Sequence, residues 1–304
     1  MKHVRVCIVG AGPMGRLHAQ KIAGIGAAGD PSEVTAIVDH HAVRAGEVAA
    51  ISGAEVMEDL DAAFGRSDVA VIAVPTINHY SITERALAAG LDVLVEKPLA
   101  SEIKDAESLI ASASARGRIL QVGHVEWYNA AWRKAAAHAG TPQRIGVDRM
   151  NPPSNRGLDL DVVQDLMLHD LDWVTRFVGE EVVQLSAEGA CTNSPRLDVA
   201  AVQLEFASGC IATLRASRVH TERRRRVQIV GDASSQTADL LQPMNQPQEA
   251  SPAADPLEQQ WTAFLTAVRT RSAPENSGEV GLAALRWVER VRAEIAGGPD
   301  GAVG

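Results

Sequence analysis

Three glycines near the start of the chain, a lysine between a glutamate and a proline, and an aspartate and histidine four residues apart are residues whose types and spacing can do chemistry. Gly10, Gly12 and Gly15 form a GxGxxG sequence, GAGPMG, completed by Pro13 and Met14. The first glycine permits a tight turn and the second lets backbone approach a pyrophosphate. The third lets the next helix pack on the preceding strand with its N-terminus facing the phosphates. Asp39 comes at nearly the separation at which a carboxylate accepts hydrogen bonds from ribose hydroxyls. A carboxylate there repels a 2′-phosphate, so the spacing favours NAD over NADP; His40, His41 and Arg44 close behind temper that preference. Ala73-Val74-Pro75-Thr76 with His79, and Glu96-Lys97-Pro98, each end an apolar run. Alcohol oxidation needs a base at the hydroxyl, and a lysine serves where burial or neighbouring positive charge disfavours its ammonium form. Taken alone, Lys97 reads as a solvated surface residue. Asp165, His169 and Asp172 recur at helical spacing and share one face, which supplies titratable groups for proton transfer or, without the upstream lysine, a solvated amphipathic helix.

The elements that must position these residues are legible as alternation. Val4–Val9 is an apolar run ending in the glycines, and Met14–Ile25 comes next with apolar residues at helical spacing. Strands recur at Val34–Val38, Val69–Val74, Val93–Val95 and Ile119–Val122, separated by Ala-rich segments such as Ile82–Ala89 and Ala106–Ala115. Alternating β and α units imply a parallel sheet covered by helices on both faces, with the His79 and Lys97 segments at carboxyl ends of strands, where such sheets bind ligands. Near His124 the rhythm changes. After a helical stretch, Trp132–Ala139, come alternating runs at Val182–Cys191, Val199–Phe206, Ile211–Val219 and Val227–Val230, with Ser208-Gly209 as a hairpin turn in a largely antiparallel sheet. Gln242–Pro256 reads as an exposed loop, and helices at about Leu257–Arg269 and Val280–Ile295 close the chain.

Composition bounds the function classes. At 304 residues the chain has room for about two domains of roughly 150 residues. Apolar residues at 46% and charged residues at 22% exclude global disorder. A net charge of −9 gives no attraction for nucleic acid or an anionic membrane. Cys7, Cys191 and Cys210 are scattered without a CxxC pair, which fits a reducing cytoplasm and neither a disulfide framework nor a cysteine zinc site. No further ligand cluster accompanies Asp165, His169 and Asp172, so no metal is expected. The start of the chain is too punctuated for a signal peptide or a spanning helix, and no membrane partner is expected.

In this order and at these distances, GAGPMG, AVPTINH, VEKPLA, QVGH and DLMLHDLD resemble the glucose–fructose oxidoreductase/inositol dehydrogenase/MocA (Gfo/Idh/MocA) family over essentially the whole chain. The resemblance implies an α/β N-terminal Rossmann dinucleotide-binding domain over residues 1–123. It implies a C-terminal α+β domain for substrate binding and oligomerisation, with an open, mostly antiparallel sheet, over residues 124–304. It further implies a nicotinamide cofactor, which the Asp39 reading makes NAD, and a sugar or cyclitol as substrate. It carries onto Lys97, Asp165 and His169 the positions around the oxidised hydroxyl: Lys97 accepts the proton, His169 hydrogen-bonds the same oxygen and Asp165 orients it, with the roles of Lys97 and His169 exchangeable. The expected cofactor-binding set is Gly10, Gly12, Pro13, Met14, Gly15, Asp39, Pro75, Thr76, His79, Glu96 and Lys97. The expected substrate-binding set is Lys97, His124, Glu126, Tyr128, Asn129, Arg156, Asp165 and His169.

Gly123–Asn129 (GHVEWYN) and DLMLHDLD resemble the branch of this family that oxidises the 3-hydroxyl of UDP-N-acetylhexosamines, with Trp127-Tyr128 replacing a usual Arg-Phe and Ala130 a usual Pro. That branch implies UDP-N-acetylglucosamine as substrate and a downstream aminotransferase consuming the 3-keto sugar for amide-linked lipid A. UDP-N-acetylglucosaminuronic acid and free polyols such as inositol or glucose are alternatives, as is a catalytically silent NAD-binding regulator, against which the joint presence of Lys97, Asp165 and His169 argues. Arg156 suits a uronate carboxylate or a diphosphate, or is a surface loop residue. Arg223–Arg226 alternate in a strand and read as a solvated sheet edge. Trp261, Phe264 and Trp287 read as core, and an exposed face of the second sheet implies a homo-oligomer, dimer or tetramer.

Overall fold

Six parallel strands organise the first of two units in the computed structural model, which describes residues 3–154, 160–241 and 255–298. This unit takes Met1–Val125 and Ala254–Leu282, and the second takes Glu126–Ala253 and Ala283–Gly304. In the first, β1 (Val4–Val9), β2 (Ser32–Val38), β3 (Glu55–Val56), β4 (Val69–Ile72), β5 (Asp92–Glu96) and β6 (Leu120–Gly123) lie in the order β3-β2-β1-β4-β5-β6. The order reverses beside β1, the switch point at which dinucleotides bind in doubly wound sheets. The intervening helices are α1 (Pro13–Ala27), α2 (Ala42–Ser52), α3 (Leu60–Gly65), α4 (His79–Ala88) and α5 (Ile103–Ala115). The central strands are buried on both faces, β1 and β4 through Val6, Ile8, Val69 and Val71 on one and Cys7, Val9, Ala70 and Ile72 on the other, which is why they read as apolar runs rather than alternating ones.

The second unit is a six-stranded mixed sheet, ordered β12-β11-β7-β10-β9-β8. Its strands are β7 (Pro142–Met150), β8 (Val182–Ala190), β9 (Val199–Phe206), β10 (Ile211–Ser217), β11 (Arg224–Gly231) and β12 (Ser235–Asp239). Every pairing is antiparallel except β7 with β10. Its first two helices are α6 (Ala130–Ala139) and α7 (Leu168–Val178). One sheet face carries Ile145, Val147, Val202, Leu204, Leu214, Val227 and Ile229 into a core with Trp132 and Trp173, whose rings stack at 4.8 Å.

The helix at the near end of the chain's last segment belongs with the first unit. α8 (Pro256–Thr270) places Trp261, Phe264 and Leu265 at helical spacing into the same core as Val6, Ile8, Ile22 and Leu94. Burial of such side chains is worth about 1.5–3 kcal/mol each. Residues 254–282 thus join the first unit, in contrast to the single boundary expected at residue 123, because the apolar stripe of α8 finds its cover on the parallel sheet. Polar pairs fix the placement: Arg269 donates twice to Asp30 at 3.0 Å, and Lys21 Nζ lies 3.1 Å from Glu258. The last helix, α9 (Gly278–Gly297), begins in the first unit and continues in the second, where Trp287 packs on the core, partly buried.

The arginine run departs from its sequence reading. β11 lies between β12 and β7, so it is not an edge. Arg224 and Arg226 are exposed, but Arg225 alternates to the covered side, where its Nη1 donates to Glu126 at 2.9 Å.

Candidate functional site

Gly10 has φ +99°, a left-handed conformation that a side chain disfavours, and a Cβ there would run into the Ala73 backbone. A Cβ on Gly15 would overlap the Gly10 carbonyl oxygen, whereas one on Gly12 would meet nothing within 4 Å. Two glycines therefore close the turn and the middle one faces open space, the arrangement a pyrophosphate needs. Gly12 is the N-cap of the 15-residue α1 and no side chain caps that helix, which leaves its first N–H groups and the positive end of its dipole for phosphate oxygens. Pro13 occupies the first turn, where its missing N–H costs no helical hydrogen bond. The residues present fit a bound dinucleotide.

Asp39, just past β2, accepts from the backbone N–H of Ala11 at 2.6 Å and of His41 at 2.8 Å, and from Arg44 Nη2 at 2.9 Å. Burial opposes its charge, but Arg44 and the two backbone donors prevail and hold its carboxyl below the usual range. The expected ribose acid thus also ties down the glycine loop.

At the carboxyl ends of β4 and β5 the structure separates roles that the sequence lumps together. Between Leu91 and Ala100 every residue is buried except Lys97. Glu96 turns inward to His18 Nε2 at 2.8 Å, both side chains almost fully covered, and a Cβ on Gly123 would crowd its carboxylate. Glu96 supports α1 from below, and Lys97 is the accessible group. Pro75 is exposed and Thr76 buried. His79 lies 2.7 Å from the Pro98 carbonyl through Nδ1 and 2.9 Å from the Val74 carbonyl through Nε2, which links the segments after β4 and β5. Burial holds its pKa below the usual imidazole range.

In the second unit, between Asp161 and Val174, every residue is buried except Asp165 and His169. Val163–Met167 is a π-helical turn running directly into α7, and wide turns of this kind recur at functional sites. The three-residue face expected for Asp165, His169 and Asp172 is reduced to two. Within α7, His169 is half-buried whereas Asp172, three residues on, lies on the buried side, 3.3 Å from Arg176. Asp161 accepts from Gln164 N–H at 2.9 Å and from Arg292 at 2.6 Å, which anchors the start of the turn.

Other expected substrate residues have structural employment. His124 is buried, and its carbonyl accepts from Asn276 at 3.0 Å. Glu126 is buried among Arg149 at 3.2 Å, Arg225 at 2.9 Å and Asn129 at 3.2 Å. Burial opposes its charge, and the two arginines outweigh burial to hold its pKa below the carboxylate range. Tyr128 is buried, and Asn129 caps α6 through Ala131 N–H at 3.0 Å. Arg156 lies outside the described residues. Sequence reasoning misses Arg149, which donates to both Asp170 oxygens at 2.7 Å directly beside His169; its only signal is a charge interrupting a strand. Among the described residues no helix is long and apolar enough to cross a membrane.

Residues 4–124 match the oxidoreductase family with an NAD-binding Rossmann fold (GFO/IDH/MocA), and residues 114–236 match the GFO/IDH/MocA C-terminal domain. The chain belongs to the GFO/IDH/MocA oxidoreductase family. UDP-N-acetylglucosamine 3-dehydrogenase of Acidithiobacillus ferrooxidans is 34% identical over 242 residues, 79% of this chain and 75% of that protein. Its solved structure, GnnA, superposes with a TM-score of 0.85 at 31% identity, covering 97% of this chain and 98% of that one. Inositol 2-dehydrogenase of Arthrobacter sp. is 30% identical over 223 residues, 69% of this chain and 65% of that protein. Scyllo-inositol dehydrogenase of Lactobacillus casei, solved with NAD(H) and scyllo-inositol, is 20% identical with a TM-score of 0.80, covers 96% of this chain and 97% of that one, and shares the fold. For this GFO/IDH/MocA member, a Rossmann unit that binds NAD and a second, mostly antiparallel sheet are common ground between sequence, geometry and relatives.

Proposed function

We propose that this enzyme oxidises the 3-hydroxyl of UDP-N-acetylglucosamine to the 3-keto sugar. The reading is carried by the likeness to the Acidithiobacillus UDP-N-acetylglucosamine 3-dehydrogenase along most of both chains. NAD, when bound, supplies the acceptor for the hydride leaving C3. The glycine loop and the N-terminus of α1 hold the diphosphate. Lys97 Nζ takes the proton from the 3-hydroxyl oxygen, His169 hydrogen-bonds that oxygen, and Asp165 orients it. In support, these are the accessible residues in two otherwise buried stretches. The UDP group supplies binding energy remote from C3 that holds the reactive hydroxyl in place. A cytoplasmic homo-oligomer working ahead of an aminotransferase that consumes the ketone completes the proposal. A free polyol is the second reading, favoured by the likeness to inositol 2-dehydrogenase.

The test is NADH absorbance with UDP-N-acetylglucosamine, UDP-N-acetylglucosaminuronic acid, N-acetylglucosamine, inositol and glucose, with a coupled aminotransferase pulling the equilibrium. UDP-N-acetylglucosamine is expected to be turned over, and Lys97→Ala and His169→Ala each to lower turnover roughly 100-fold with NAD affinity nearly intact. Faster oxidation of inositol or glucose than of any UDP-sugar overturns the substrate, and unchanged turnover in both variants overturns the catalytic assignment.

A further inference from the structure

We propose that Arg44 makes the adenosine end of the dinucleotide site receptive to a 2′-phosphate, so that the protein binds NADP as well as NAD. An acid at the end of the second strand selects NAD only if its charge and its free lone pairs face the ribose. Asp39 meets neither condition fully. One oxygen is taken by Ala11 N–H and the other by His41 N–H and Arg44, and its side chain is 4% exposed. Its negative charge is paired with a guanidinium at 2.9 Å, so the local field that would repel a phosphate is largely cancelled.

The charge left exposed at this position is positive. The Arg44 side chain is 41% exposed, and its Nε is buried with no hydrogen-bond partner. A guanidinium carries five donors in a planar fork that matches phosphate oxygens, so one edge can stay on Asp39 while another receives a ligand. His40, 87% exposed, stands with its Nδ1 3.6 Å from Asp39. Arg44 lies in the first turn of α2, which has no acidic residue in that turn and no side-chain cap. The nearest acid along α2, Glu47, is engaged by Arg16 of α1 at 3.2 Å and leaves Arg44 to Asp39. Charge, donor geometry and helix polarity at this corner all favour an added anion over a bare hydroxyl.

The test is equilibrium titration of the intact protein with NAD and with NADP by calorimetry, independent of turnover, on the native chain and on Arg44→Ala, Arg44→Gln and Arg44→Lys. The native protein should bind NADP within about tenfold of NAD, and NADP affinity should fall more steeply with added salt. Arg44→Ala and Arg44→Gln should weaken NADP by roughly 10- to 100-fold, the worth of charge-assisted hydrogen bonds, and NAD by less than about threefold; Arg44→Lys should fall between. Melting curves establish that each variant is folded, and the glutamine variant keeps much of the side-chain length if the alanine variant does not fold. A native preference for NAD beyond about 100-fold, equal salt dependence for the two nucleotides, or equal loss of both in the folded variants overturns the proposal by reducing Arg44 to a brace for Asp39.

Discussion

Replacing Asp170 by Leu removes a buried, charge-paired carboxylate of the second unit. Its carboxylate receives two hydrogen bonds from Arg149 at 2.7 Å and one from Trp173 Nε1 at 3.2 Å. Arg149 also reaches Glu126, which Arg225 shares, so two cations and two anions balance in a buried cluster. Asp170→Leu leaves two arginines on one glutamate, and Arg149→Met leaves Asp170 with the indole N–H in place of two charged donors. Removing one partner of a buried pair costs about 3–5 kcal/mol, because the other charge stays desolvated and uncompensated. At about 2–4 °C per kcal/mol for a unit of this size, each single variant should melt roughly 6–20 °C lower. The double variant Arg149→Met/Asp170→Leu removes one cation and one anion, leaves Glu126 with Arg225, and should recover most of the loss, since apolar replacement of a buried pair is often neutral or better. Scanning calorimetry with tryptophan fluorescence reads the cycle, Trp132 and Trp173 reporting on this core. Single variants costing less than about 1 kcal/mol, or a double variant as unstable as the sum of the singles, would refute the coupling.

Gly15→Ala and Gly12→Ala should separate folding from binding. The first forces the loop off the Gly10 carbonyl and should cost about 1–3 kcal/mol together with NAD affinity; the second meets no protein atom, so melting should stay within about 0.5 kcal/mol of native while NAD binding is lost. Calorimetric melts and NAD titrations of both variants check the split. His79 should make stability fall in mild acid. Burial lowers its folded pKa below the ordinary 6.5, so the unfolded chain binds the proton first; the contribution is complete above about 6.5 and is lost as pH falls toward the folded value. Urea unfolding at pH 7.5 and 5 should show a shallower pH dependence in His79→Gln, and identical slopes in both proteins would count against the buried, neutral ring.

Much of the first unit is legible in the sequence because parallel strands buried on both faces leave unbroken apolar runs. β4, the middle of β5 and β1 from Val6 onward are written that way, and the glycine loop is a local property of consecutive residues. β7 is not legible, although it lies between β11 and β10. It reads PQRIGVDRM, and its inward positions are Ile145, Val147 and then Arg149, so a buried charge breaks the apolar alternation that marks a strand. Asp165 and His169 are found by spacing, but the burial of Asp172 depends on how α7 packs, and no local pattern announces the π-turn that carries Asp165. Glu126 illustrates the limit for sites. A polar residue in a family-like motif reads as ligand-binding until its partners are known, and here they are Arg149 and Arg225, distant in sequence.

The return of α8 to the parallel sheet makes the chain discontinuous in a way that bears on its synthesis. Residues 126–253 are made between the sixth strand and the helix that covers the sheet. At roughly 5–20 residues per second, the core around Ile8, Ile22 and Leu94 waits on the order of ten seconds on the ribosome for Trp261, Phe264 and Leu265. During that interval α1 and α2 cover part of that sheet face, and the part beneath α8 lacks its cover while the whole of the second sheet emerges. A piece of chain ending at residue 125 keeps every glycine of the dinucleotide loop and lacks that apolar cover. The stretch that encodes cofactor recognition and the stretch that encodes a foldable unit are therefore different lengths of the same polypeptide.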